Sequence, residues 1–308
     1  MEKIVISEFM DPTAVNGLKE DFAVVYDPGL VDQPGLLLAE IKTADAIIVR
    51  NRTQVRGDLL SCAKKLRVVG RLGVGLDNID IDACRARQIE VFPACGTNGA
   101  AVAEYVIASV FILFRKAYQS TLEMIEGKWP RTALMGNETA GKILGLIGFG
   151  AIARETCTRA KAMGMTVIAH DPFLPPGHPA WKEAPSTEFE ALLEKADVVS
   201  LHVPLTDKTR HLMDARAIAR MKKGALLINT ARGKVVDEKA LIGAMASGHI
   251  GGAAVDVFEN EPLTAGMGQR FKGVSNLLLT PHIAGVTIES NIRTSAVTAD
   301  NVRNALAR

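Results

Sequence analysis

Residues 143–153 read Ile143-Leu144-Gly145-Leu146-Ile147-Gly148-Phe149-Gly150-Ala151-Ile152-Ala153, a short apolar run that breaks into glycines and then opens a helical segment ending near Gly164. A strand that turns through G-x-G-x-x-G/A into a helix is the fingerprint of a dinucleotide-binding βα unit. Gly148 permits the tight turn, Gly150 lets the backbone approach a pyrophosphate, and Ala153 lets the helix close on the strand. The phosphate belongs at the helix N-terminus beside Ala151 and Ile152, where free N–H groups and the dipole favour an anion. Asp171 closes the next strand at about the 20-residue spacing of a ribose-binding carboxylate, which selects NAD over NADP. The other reading of Asp171 is a turn-initiating residue before Pro172.

Outward from this unit, apolar runs alternate with helical segments along the whole chain, the pattern of parallel sheets covered by helices. One series places strands at Lys3 to Ser7, Phe22 to Tyr26, Ala46 to Val49, Arg67 to Val69 and Ile89 to Phe92, with helices at Pro34 to Ile41 and Gly57 to Ala63. After an apolar helix from Gly99 to Tyr118, a second series runs through Ile143 to Ile147, Thr166 to His170, Val198 to Leu201, Ala225 to Asn229, Ala253 to Val257 and Leu277 to Leu279. A closing helix, about Val286 to Ala307, is expected to return to the first series. The fold class is therefore α/β, with two doubly wound parallel-sheet domains. A Rossmann NAD-binding domain (99–285) is inserted in a flavodoxin-like substrate-binding domain (1–98 and 286–308), and the paired crossings make a hinge over a cleft.

Composition narrows the function classes. Lys plus Arg (36) nearly balances Asp plus Glu (34) across 308 residues, so a nucleic-acid surface is not expected. No apolar stretch approaches the ~20 residues of a membrane span, and Met1 to Met10 lacks a secretory pattern, so the expected location is the cytoplasm without membrane contact. Cys62, Cys84, Cys95 and Cys157 are scattered, and none of the six histidines forms a metal-binding spacing; no metal is expected, and the cysteines read as small buried thiols.

Hydride transfer to a keto acid needs a proton donor, a cation for the carboxylate and a group that keeps the donor charged. Arg232, Glu261 and His282 each follow a strand of the second series, where open α/β sheets bind ligands. Their segments are Asn229-Thr230-Ala231-Arg232-Gly233, Asp256-Val257-Phe258-Glu259-Asn260-Glu261-Pro262 and Thr280-Pro281-His282-Ile283-Ala284-Gly285. Together with Gly73-Val74-Gly75-Leu76-Asp77-Asn78-Ile79-Asp80, Val102-Ala103-Glu104 and Leu201-His202-Val203-Pro204-Leu205-Thr206, they resemble the signatures of the D-isomer-specific 2-hydroxyacid dehydrogenases.

That resemblance implies that Arg232 binds substrate carboxylate and carbonyl, that His282 is the general acid/base, and that Glu261 pairs with His282 to hold its imidazole charged. It further implies that Asp256 anchors the nicotinamide amide and that Val203 and Pro204 line the adenosine side, with Thr209 and Thr230 as cofactor neighbours and His202 structural. The backbone of Gly73, Val74 and Gly75 would hold the carboxylate of a small 2-hydroxy acid. Arg50-Asn51-Arg52 resembles the two-arginine segment of phosphoglycerate dehydrogenases and, joined by Arg71, would grip a C3 phosphate or sulfonate; the alternative is a pair of solvated loop charges. A homodimer built on Gly99 to Tyr118 and the segment through Trp129 is implied as well. The rival readings are an NAD-sensing corepressor-like scaffold and a hydroxypyruvate or glyoxylate reductase.

Overall fold

The computed structural model describes residues 1–116, 118 and 120–308. The chain divides into two compact units, Met1–Asn98 with Val286–Arg308, and Gly99–Gly285.

The first unit is built on a five-stranded sheet of β1 (Lys3–Ile6), β2 (Ala23–Tyr26), β3 (Ala46–Val49), β4 (Val68–Arg71) and β5 (Glu90–Pro93). The order is β2-β1-β3-β4-β5, parallel throughout, which is the flavodoxin-like winding. The central strand β3 is apolar and buried at every residue, as a strand covered on both faces must be. One face packs on the helices Pro34–Ile41 and Gly57–Cys62, and the other on Pro12–Asp21 and the C-terminal helix Ile288–Leu306. A Cβ on Gly70 of β4 would lie 2.7 Å from Val302 and 2.9 Å from Thr298, so the bare glycine lets the closing helix seat directly on the sheet. That helix starts at Ile288 because Thr287 and Ser290 form a reciprocal capping box, the Ser290 N–H donating to Thr287 Oγ1 (3.0 Å) and the Thr287 N–H to Ser290 Oγ (2.9 Å).

The second unit holds β6 (Ile143–Ile147), β7 (Thr166–His170), β8 (Val198–Leu201), β9 (Ala225–Asn229), β10 (Ile250–Val255) and β11 (Leu277–Leu279). They form one parallel sheet in the order β11-β10-β9-β8-β6-β7, with large apolar clusters on its two faces. The winding reverses between β6 and β8, which places the carboxyl end of β6 at a switch point. The helix Gly99–Arg115 lies against the helix Ala151–Ala162 that follows the glycine turn. Its expected continuation to Tyr118 ends at Arg115, where the Asn137 N–H takes the Phe114 carbonyl (2.8 Å); residue 117 lies outside the described residues.

Two further expectations need correcting. β10 runs Ile250–Val255, not Ala253 to Val257: Gly251 and Gly252 lie inside the strand, at a register shift, where a Cβ would meet the Gly224 backbone at Gly251 and the Asn276 side chain at Gly252. Cys84 and Cys157 are buried, and burial pushes both thiols up, but Cys95 is exposed and Cys62 half-buried. Cys95 sits past the end of β5, in the turn that leaves the sheet. No described helix is long and apolar enough to cross a membrane, and among the described residues no cluster of His, Cys, Asp and Glu could hold a metal.

Candidate active site

At the end of β6, Gly148 takes φ +85°, and a Cβ there would lie 2.6 Å from the His202 carbonyl oxygen and 3.0 Å from Val203. Only glycine combines that backbone with that contact. Gly150 is the N-cap of Ala151–Ala162, and no side chain caps the first turn, so its amides remain suited to a phosphate. Asp171 reaches back to this turn: Oδ2 accepts from the Phe149 N–H (2.9 Å) and Oδ1 from the Phe173 N–H (3.0 Å). Asp171 organises the turn before Pro172, and its carboxylate keeps lone pairs beyond these two bonds. The Thr230 hydroxyl oxygen is buried without a hydrogen-bond partner among the described residues, a group in want of a ligand. Thr209 instead donates to the Pro204 carbonyl (2.6 Å) and ties its own loop. These features fit a bound dinucleotide along the Gly148 turn. The His202 imidazole bonds to Ser200 Oγ (2.9 Å), and burial holds it down to about 4, so it is neutral and structural.

Beyond β9, β10 and β11, three turns carry Arg232, Glu261 and His282. His282 Nδ1 meets Glu261 Oε2 at 2.8 Å, and Glu261 Oε1 accepts from the Phe258 N–H (2.9 Å). Burial would raise the Glu261 carboxyl, but the bond and charge of His282, the Phe258 N–H and the Arg232 charge outweigh it, so the group is held below the usual carboxylate range. The carboxylate holds the ring at Nδ1, and Nε2 lies on the opposite side of the imidazole. Arg232 is oriented by its own turn: Nη1 donates to the Ala231 carbonyl (2.6 Å), while buried Asn229 accepts from Ala231 N (3.1 Å) and donates to the Arg232 carbonyl (3.0 Å). The next residue, Gly233, has no space for a Cβ, which would lie 1.9 Å from Phe258 backbone atoms. The arginine turn is thereby seated on the segment that delivers Glu261.

Supports unseen in the sequence hold these turns. Glu238 is 3% exposed, ion-paired with Arg270, and exchanges two bonds with Glu259: its Oε1 accepts Glu259 N (2.7 Å), and Glu259 Oε1 accepts Glu238 N (3.2 Å). Asp256, expected against the nicotinamide, is 1% exposed. Its Oδ1 accepts from Thr280 Oγ1 (2.6 Å) and Ile283 N (2.8 Å), and its Oδ2 from Ala284 N (2.8 Å). With the His282 N–H on the Asp256 carbonyl (2.8 Å), one residue clamps both ends of a turn in which His282 takes φ +56°, an unfavoured conformation for a side chain of that kind. Tyr105 completes the set through Thr280 (2.6 Å).

In the first unit, Gly73 (φ +141°), Val74 and Gly75 follow β4. Arg71 is buried, with Nη1 on the Leu72 carbonyl (2.7 Å) under Gly73, where it supports this turn. Arg50 is half-buried, bonded to Asn291 and 5.8 Å from the Phe9 ring centroid. Arg52 is half-exposed and paired with the more exposed Asp32. Asn51 lies between them at the tip.

Comparison with known proteins identifies the family. The family model for the D-isomer specific 2-hydroxyacid dehydrogenase, NAD binding domain, matches residues 107–284. An (S)-sulfolactate dehydrogenase from Chromohalobacter salexigens is 55% identical over 99% of both chains. A D-3-phosphoglycerate dehydrogenase from Methanocaldococcus jannaschii is 37% identical over 99% of this chain but 58% of its own length. Among solved structures, a Thermus thermophilus protein superposes with a TM-score of 0.88 at 31% identity over 99% of this chain and 97% of that one. A D-lactate dehydrogenase from Aquifex aeolicus, complexed with NAD and lactic acid, gives 0.86 at 27% identity over 99% and 96%. The chain belongs to the D-isomer-specific 2-hydroxyacid dehydrogenase family and is an NAD-dependent oxidoreductase.

Proposed function

We propose that this enzyme interconverts a 2-hydroxy acid and its 2-keto acid in which C3 carries an anionic group, the 3-sulfolactate and 3-sulfopyruvate pair first. The observation that carries the chemistry is the Glu261–His282 pair at 2.8 Å beside the Arg232 turn. NADH, when bound, supplies the hydride to C2. Arg232 holds the substrate carboxylate and polarises the C2 carbonyl, and His282 donates its Nε2 proton to the oxygen as charge develops there. Glu261 stabilises the imidazolium until that proton leaves; in oxidation, neutral His282 takes the proton back. The backbone at Gly73, Val74 and Gly75 holds the carboxylate, and Arg52, with Arg50 behind it, takes the C3 anion.

Three observations support the finer points. The relative at 55% identity is named for (S)-sulfolactate. Its S label agrees with a D-specific family, because sulfur ranks the C3 branch above the carboxylate and the same spatial arrangement that is D in lactate becomes S. The Asp171 carboxylate favours NAD, since it would repel a 2′-phosphate. Leu122, Ile125, Trp129 and Met135 are each about three-quarters exposed, an apolar set suited to cover by a second copy in a cytoplasmic homodimer.

The test is NADH oxidation at 340 nm with 3-sulfopyruvate, 3-phosphohydroxypyruvate, hydroxypyruvate, pyruvate and glyoxylate. A C3-anionic acid should give the highest kcat/KM, and NADPH a poorer rate. Preference for hydroxypyruvate, whose reductase in Thermotoga maritima is 38% identical to this chain, would overturn the substrate reading.

A further inference from the structure

The turn that carries Arg50, Asn51 and Arg52 is wrapped around a side chain from a different strand end. Glu8, just past β1, is 5% exposed. Its Oε1 accepts from the Arg50 N–H (2.8 Å) and the Thr53 N–H (3.0 Å), and its Oε2 from the Arg52 N–H (3.2 Å). Three converging amides form the concavity that elsewhere binds a phosphate or carboxylate ligand. Here the protein fills it with its own carboxylate. Asn78, 5% exposed, clamps the opposite side of the same turn, donating from Nδ2 to the carbonyls of Thr53 (2.7 Å) and Arg50 (3.2 Å). Ser7 Oγ and Thr53 Oγ1 close the base at 2.9 Å.

The amides of Arg50, Arg52 and Thr53 are thus engaged from below and unavailable to a substrate. What the turn offers an incoming anion is Asn51 and the two guanidinium groups. Of these, Arg50 is engaged with Asn291 and the Phe9 ring, whereas Arg52 faces an exposed Asp32, a surface pairing of little strength that a better-placed anion can replace. The length and angle at which Arg52 is offered then depend on where Glu8 and Asn78 set its Cα.

We propose that Glu8, backed by Asn78, is a specificity-positioning residue: by occupying the amide concavity of the 50–53 turn it hands recognition of the C3 group to Arg52 and so sets the preference for an anionic over an uncharged C3 substituent. This rests on the substrate reading given above.

The experiment measures kcat/KM for 3-sulfopyruvate and for hydroxypyruvate in the wild-type enzyme, Glu8→Gln and Asn78→Ala, alongside thermal unfolding. Glu8→Gln keeps the shape but turns an amide N–H₂ onto backbone donors; the ratio of the two kcat/KM values should fall about tenfold, mainly through KM for 3-sulfopyruvate. Asn78→Ala should move the ratio in the same direction and decides the matter if Glu8→Gln fails to fold. A wild-type enzyme without anion preference would overturn the substrate reading itself. A preferring wild type whose variants keep the full ratio, or lose both activities equally, would overturn this inference alone.

Discussion

Two turns of this molecule are built alike and finished differently. In the His282 turn a buried carboxylate, Asp256, accepts the amides of Ile283 and Ala284; in the Arg50–Thr53 turn a buried carboxylate, Glu8, accepts the amides of Arg50, Arg52 and Thr53. Each spends a charge inside the protein to fix a short stretch of backbone, which is tolerable only because every such carboxylate is fully hydrogen-bonded. The difference lies at the tips. His282 is held a second time, through its ring, by Glu261 at 2.8 Å, itself tied to Phe258. Among the described residues, the Arg52 guanidinium is bonded to Asp32, in the open. In the proposed function, the proton-transfer group His282 is fixed at backbone and side chain, while the recognition group Arg52 is fixed at the backbone and left exchangeable at the charge. Proton transfer needs a defined angle and nitrogen, whereas ion recognition needs a counterion that can be displaced.

Substitutions at the two turns should differ in the size and kind of their effects. The largest effect is expected for His282→Ala, where loss of the proton donor should lower kcat about 10²- to 10⁴-fold on every keto acid, measured as NADH oxidation at saturating substrate. Turnover within threefold of wild type would remove His282 from the role given to it. Asp256→Ala should destabilise the fold by about 3 kcal/mol or more, because the Thr280 hydroxyl and two amides lose their acceptor; the check is urea unfolding, with kcat falling in whatever protein remains folded.

Arg270→Ala strips Glu238 of its partner at the brace beneath Glu261. About 2–3 kcal/mol should be lost, less than for a fully buried pair because Arg270 is one-third exposed. Burial already pushes the Glu238 carboxyl up, so part of the deficit should be recovered by lowering the pH, which protonates the orphaned group. The opposite sign holds at Glu261. Its carboxyl is depressed in the fold, so its contribution is present above the ordinary Glu range and is lost as pH falls through the folded value; Glu261→Gln should flatten that acid-side loss of stability. The smallest change is expected at the recognition tip, where Asp32→Asn should lower KM for 3-sulfopyruvate by about two- to fivefold through loss of a weak competitor for Arg52.

Most of the architecture was legible because parallel strands are continuous apolar runs: β3, β6, β7, β8, β9 and β11 lie at the residues their hydrophobicity marks. β4 and β5 each begin one residue later than their apolar runs and end at Arg71 and Pro93, residues that look foreign to a strand, and β10 opens on Ile250 and two glycines that serve close approach rather than a turn. Arg232, Glu261 and His282 could be singled out because they follow strands in a recognisable order, and the structure brings Glu261 and His282 into contact. Glu8, Asn78, Glu238 and Asn229 left no such mark. Each acts by meeting the backbone of a segment brought near only by the fold, and a single buried Glu or Asn in a sequence does not state which amides it will meet. Arg50 and Arg52 read as equals for the same reason, and it is Phe9, Asn291 and Asp32 that make one a support and the other a contact.

The most direct test is Arg52→Ala measured on two substrates, 3-sulfopyruvate and hydroxypyruvate, by NADH oxidation. The ratio of their kcat/KM values should fall by about 10- to 100-fold, with the loss confined largely to KM for the anion. A uniform loss on both substrates, or an unchanged ratio, would contradict the assignment of recognition to this turn.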